Sequence, residues 1–186
     1  MALQYACVDV ELREVLLRDK PGAMLEASAK GTVPVLVLPS GRVIDESYDV
    51  MRWALAKSDP DGWWQEDLES EANDLVKQND FVFKKFLDRY KYADRYPENQ
   101  QSYYRKKAES FLQLLEQKLT VGSYLLTGKP TFSDVAIFPF VRQFAFVDKA
   151  WFDQAPYPKL QDWLQAFLDS ELFLSVMTKF PRWEED

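Results

Sequence analysis

The chain has 186 residues, 47% of them apolar, and a formal net charge of −7, enough hydrophobic material for a packed core without metal or disulfide support. A single cysteine, Cys7, excludes an intramolecular disulfide, and the absence of histidine excludes Ser-His-Asp triads, Cys-His dyads and ordinary His-based metal sites. The acidic balance argues against nucleic acid as a partner, and the longest apolar run, Val135 to Val141, falls far short of the roughly 20 residues that span a bilayer.

From Val8 to Leu17, Val8, Val10 and Leu12 alternate with Asp9, Glu11 and Arg13, which predicts a strand with one buried and one wet face. Pro21 opens a short helix carrying Met24, Leu25 and Ala27, and Lys30-Gly31 stops it. Val33-Pro34-Val35-Leu36-Val37-Leu38 predicts a compact buried strand; Ser40-Gly41 turns the chain into a further strand at Arg42-Val43-Ile44. Ser47 is the expected cap of a helix with Val50, Met51, Ala54 and Leu55 on its apolar face.

The segment from Lys57 to Trp64 holds Pro60 and Gly62 and reads as a linker, beyond which strand patterns nearly vanish. Two domains are therefore expected, residues 1–57 and 65–186. In the second, Leu75, Val82, Phe83, Phe86 and Tyr90 share one helical face, and Tyr104, Ala108, Phe111, Leu112, Leu115 and Leu119 another, which predicts two long antiparallel helices. Thr131 and Asp134 have capping-box spacing, with Asp where Glu or Gln is usual, ahead of a buried central helix through Phe144 that Pro139 should kink. Leu160, Trp163, Leu164, Phe167 and Leu168 mark another helix, and Glu171 to Thr178 a shorter one.

Taken singly, the polar candidates are ambiguous. A proline opening a strand is commonly only a strand start, although X-Pro is the one linkage where cis costs only about 0.5 to 1 kcal/mol. Ser47 can be a plain N-cap, Glu46 an acidic neighbour and Lys30 a solvated lysine, yet a strand end running into a helix start also offers amides and a positive dipole end to a carboxylate. Cys7 is not at a helix N-terminus, so a packed structural cysteine is expected rather than a nucleophile. The run Tyr90 to Tyr96 reads as an amphipathic surface.

Taken together, Lys30-Gly31-Thr32-Val33-Pro34-Val35-Leu36, Val43-Ile44-Asp45-Glu46-Ser47 and Thr131-Phe132-Ser133-Asp134-Val135-Ala136 make the chain resemble the glutathione S-transferase family over nearly its whole length. The resemblance implies an α/β thioredoxin-like N-terminal domain followed by an all-helical C-terminal domain. It implies glutathione as co-substrate, a homodimer, and a small hydrophobic or disulfide co-substrate; the single reduced cysteine suits a cytoplasmic protein, and the composition already points to no metal, no nucleic acid and no membrane. It further implies a cis Val33-Pro34 bond with the Val33 backbone pairing the cysteinyl part of glutathione. Ser47 would hold the γ-glutamyl carboxylate, Glu46 the γ-glutamyl ammonium and Lys30 the glycyl carboxylate. Thr131 and Asp134 match a structural motif and are assigned no chemistry.

The family pattern opens with a strand, a loop bearing a catalytic Ser, Tyr or Cys, and a full first helix. Here Met1 to Ala6 resembles only that helix's last turns. The expectation is that roughly 15 to 20 residues of the pattern are missing, and with them the group that activates the thiol. The catalytic residue is thus unassigned, and a non-catalytic interaction module of the same fold is the competing expectation.

Overall fold

The computed structural model describes residues 1–184. Contacts divide the chain into two units: Met1–Asp61 together with the segment from Glu171 onward, and Gly62–Ser170.

In the first unit, helix α1 (Ala2–Tyr5) packs on helix α3 (Ser47–Leu55), with Ala2, Ala6 and Ala54 buried and Leu3, Val8, Met51 and Trp53 around them. Alanines at the contact let the two helices approach closely. Helix α10 (Glu171–Val176) also contacts α1, burying Phe173. The Tyr5 hydroxyl ties α1 to the segment after α3, donating to Asp59 Oδ1 at 2.9 Å and accepting from the Asp61 amide at 2.7 Å. Burial and the two neighbouring carboxylates push its phenol well above the ordinary range.

Helix α2 (Gly22–Ala27) starts after Pro21. Strands β1 (Leu36–Val37) and β2 (Val43–Ile44) pair antiparallel, Leu36 facing Ile44 and Val37 facing Val43. Gly41, at φ +83°, makes the turn, a left-handed conformation that a side chain disfavours. The Gly41 amide donates to the Leu38 carbonyl at 2.8 Å.

Three expectations need correction here. The strand from Val8 to Leu17 does not form: among the described residues the segment makes only single bridges, Glu14 with Arg182 and Leu16 with Asp19. Val10, Leu12 and Leu17 are exposed; alternation alone does not make a strand when its amides and carbonyls lack a neighbouring chain to pair with. Among the described residues the predicted buried strand over 33–38 is a strand only at Leu36–Val37, extended by the Leu38 amide donating to the Arg42 carbonyl, and Val37 is 55% exposed. Ser47 is the first residue of α3 rather than its cap; Glu46, with extended backbone, takes the N-cap position, and its side chain makes no capping hydrogen bond.

In the second unit, α4 (Glu69–Gln78), a π-helical turn (Asn79–Phe83) and α5 (Lys84–Lys91) follow one another, and α6 (Gln101–Leu119) returns alongside. Phe83 stacks near Phe111 with centroids 5.0 Å apart, and the Gln101 side chain donates to the Tyr90 carbonyl at 3.0 Å, so the two strokes run antiparallel. Helix α7 (Phe132–Ala145) carries nine buried residues and continues through Pro139. Helices α8 (Lys149–Gln154) and α9 (Pro158–Leu168) complete the unit. Glu116 on α6 accepts the amides of Lys159 and Leu160 at 3.1 and 2.8 Å, satisfying donors that the start of α9 would otherwise leave orphaned.

The Thr131–Asp134 capping box is present. The carboxylate does more than cap: Oδ1 accepts the Leu125 amide and the Trp163 indole N–H, each at 2.9 Å, and Oδ2 accepts the Thr131 amide and hydroxyl at 2.9 and 2.7 Å. Burial pushes this carboxyl up, against the pull of those four donors. No helix among the described residues is long and apolar enough to cross a membrane.

Candidate functional site

The β1–β2 hairpin sets the geometry. The ladder ends at the Leu36–Ile44 pair, and beyond that open end Val33-Pro34 leads into β1 while Glu46-Ser47 leads out of β2 into α3. Val33 and Ser47 thus flank the same end. The Val33–Pro34 peptide bond is cis. Val33 is 49% exposed, and among the described residues neither its N–H nor its C=O has a backbone partner.

Lys30, on the loop after α2, reaches the same place. Its Nζ lies 2.7 Å from Glu46 Oε1 and 3.0 Å from Asp45 Oδ1. The Ser28 hydroxyl donates to Asp45 Oδ2 at 2.6 Å, so Asp45 clamps both ends of this loop to the chain entering α3. The two carboxylates raise the Lys30 pKa, while Ser28 first and Lys30 second hold Asp45 below the usual carboxylate range. All of these charges are open to water.

Ser47 is exposed at the first position of the nine-residue α3, and its hydroxyl has no hydrogen-bond partner among the described residues. The positive end of the helix dipole lies there, with the Ser47 amide outside the intrahelical ladder. The structure therefore brings Lys30, Glu46 and Asp45 into direct contact and sets Ser47 and Val33 on the same hairpin end. Ser28 and the clamping role of Asp45 were not singled out from sequence. Asp45 adjoins Glu46-Ser47, but nothing in the order of residues shows that its side chain faces back to Ser28.

Cys7 differs from expectation. It is exposed rather than packed, at φ +52° just past the end of α1. An ordered chain reversal after a four-residue helix leaves its side chain outside the small alanine core.

Two family models match the chain: the glutathione S-transferase C-terminal domain over residues 66–166 and the glutathione S-transferase N-terminal domain over residues 1–62. The chain belongs to the glutathione S-transferase family. Its architecture is that of a glutathione S-transferase, a thioredoxin-like N-terminal part followed by a helical C-terminal part. Among solved structures it is similar to BphK, a bacterial glutathione S-transferase in a ternary complex, at 20% identity and TM-score 0.78, covering 95% of this chain and 90% of that one. It is also similar to a class Gtt2 glutathione S-transferase of Vibrio parahaemolyticus (18% identity, TM-score 0.75, coverage 94% and 88%). A third is the glutathione transferase URE2P6 of Phanerochaete chrysosporium, solved in complex with oxidized glutathione (16% identity, TM-score 0.79, coverage 94% and 86%). No curated protein matches the chain.

Proposed function

We propose that this protein binds glutathione along the edge from Lys30 to Ser47 and uses it as the thiol co-substrate toward a small hydrophobic electrophile or a disulfide. The observation that carries this reading is the combination of an exposed Val33 whose N–H and C=O have no backbone partner with an unpartnered Ser47 hydroxyl at the α3 N-terminus, both at the open end of the hairpin. An extended cysteinyl unit would add to Val33 as a short strand, and a carboxylate would sit on the Ser47 hydroxyl and amide.

The ion pairs of Lys30 are compatible with that ligand. Exposed pairs of this kind contribute only about 0 to 1 kcal/mol, and glutathione brings both an ammonium and carboxylates. Glu46 would turn to the γ-glutamyl ammonium while Lys30 would take the glycyl carboxylate, so the exchange leaves each charge matched. Family membership supports the same ligand, as does the oxidized glutathione bound to the Phanerochaete relative. On this reading the protein works in the cytoplasm, as a homodimer, without a metal.

Calorimetric titration with glutathione tests the proposal. Saturable binding is expected, weakened about 5- to 150-fold in Ser47→Ala, the equivalent of about 1 to 3 kcal/mol for a hydrogen bond to a charged carboxylate. Unchanged affinity in that variant removes Ser47 from the site. No saturable binding by the unmodified chain overturns the reading in favour of a non-catalytic interaction module.

A further inference from the structure

We infer that the tip of the helical hairpin made by α5 and α6 is a docking surface for an acidic peptide segment of a partner protein. Charge is placed unevenly along the chain. Residues 84–107 carry eight Lys or Arg against Asp88, Asp94 and Glu98, a net +5 in a chain of net −7, which leaves −12 for everything else. A basic face on an otherwise acidic molecule concentrates anions at one place.

The cations at this tip are not spent on carboxylates. Among the described residues of the stretch, only Lys84, 3.7 Å from Asp80, and Arg105, 3.8 Å from Asp148, have an ion-pair partner. Asp88, Asp94 and Glu98 lie among the other cations and pair with none of them.

Aromatic rings hold the cations instead. Arg95 and Lys91 lie 4.4 and 5.0 Å from the centroid of Tyr92, and Arg89 lies 5.4 Å from Tyr96 and 5.8 Å from Tyr104. Lys107 is 5.4 Å from Tyr103, and Lys84 is 4.7 Å from Phe140 on α7. Lys91 also donates to Gln143 on α7 at 3.3 Å. The strip thus runs from α7 across α5 to the turn at Ala93–Arg95 and onto α6. A ring positions a cation without neutralising it, so these side chains are fixed and still carry their full charge.

The same geometry selects the partner. Tyr104 is fully buried and Tyr92 is met by two cations, so the tip is poor in free ring faces on which bases could stack. It is rich in guanidinium and ammonium donors, and the arginine fork matches a carboxylate. Screening limits the reach of these charges to about 8 Å at physiological salt. A short acidic segment therefore meets the +5 of the tip alone, whereas a long polyanion runs out over the acidic remainder. From Lys84 to Lys91 helix α5 rises about 10 Å, the span of about three extended residues, so a run of about six to eight residues with frequent Asp and Glu covers the strip. This docking is independent of glutathione.

A labelled decaglutamate peptide, titrated into the intact chain without glutathione and followed by fluorescence anisotropy, tests the inference. Saturable binding is expected, at least about 10-fold weaker at 300 mM than at 50 mM salt, with amide NMR shifts at residues 84–107. Lys91→Glu with Arg95→Glu should weaken it at least about 10-fold, while Lys118→Glu with Lys159→Glu, an equal charge change elsewhere in the helical unit, should stay within about 2-fold. All four side chains lie on the surface, and thermal melts of both double variants should match the unmodified chain. No saturable binding at 50 mM salt, or equal weakening in both double variants, overturns the inference. So does a decathymidylate single strand that binds as tightly as the peptide. Tip shifts that appear on concentrating the chain alone, together with shifts at residues 66–74, would make a second copy the occupant and overturn it as well.

Discussion

Replacing Asp134 by alanine should be among the most damaging single changes in the helical unit. The carboxylate is fully buried and accepts four hydrogen bonds, from the Leu125 amide, the Thr131 amide and hydroxyl, and the Trp163 indole. Each buried donor left unsatisfied costs about 1 to 3 kcal/mol, and losing the box at the start of α7 adds about 1 kcal/mol. Removing the buried charge itself returns part of this, because its desolvation is no longer required. Breaking a buried charged network in this way typically costs about 3 to 5 kcal/mol, so a loss of about 4 kcal/mol is expected. At 186 residues that corresponds to a fall in Tm of roughly 8 to 16 °C. Asparagine keeps an acceptor for Leu125 and Trp163 but turns an NH2 toward Thr131, so Asp134→Asn should cost less than alanine. Urea denaturation followed by circular dichroism gives both values. A loss under about 1 kcal/mol in Asp134→Ala would show that the four bonds do not hold the loop before α7, α7 and α9 together.

Glu116→Ala should destabilise the helical unit by about 1 to 2 kcal/mol, because the Lys159 and Leu160 amides lose their shared acceptor; thermal melts should show it, and Glu116→Gln should recover part of the loss. Asp45 should titrate below its unfolded value of about 3.9, held down by the Ser28 hydroxyl and then by Lys30. Because the folded pKa is the lower one, the stabilising contact is present above about pH 4 and is lost as pH falls through the folded value. Carboxyl resonances followed by NMR should place the Asp45 midpoint low, and Ser28→Ala should move it upward.

The helical unit was readable in sequence because burial there follows the helical period. Leu75, Phe83, Tyr104, Phe111, Leu112 and Leu115 are all buried, and Thr131 with Asp134 announces the start of α7. The Trp163 indole bond to Asp134 was not readable, since it joins residues 29 positions apart on helices whose docking the sequence does not specify. The first unit was less legible. Val8 to Leu17 has the pattern of a half-buried strand, but a strand is made by its neighbour, and the chain that meets Glu14 comes from Arg182 and Trp183. For the candidate site, motif spacing singled out Lys30, Val33, Pro34, Glu46 and Ser47. It did not show that Lys30 already spends its charge on Asp45 and Glu46, because that contact depends on how the loop after α2 folds back.

The most direct measurement of the central claim is an amide NMR titration of the chain with reduced glutathione. The account predicts saturable shifts concentrated at Val33, Ser47 and the first turn of α3, with the Lys30–Glu46 contact exchanged for contacts to the ligand. Saturable shifts that leave Val33 and Ser47 unmoved, or an absence of shifts at millimolar glutathione, would contradict it.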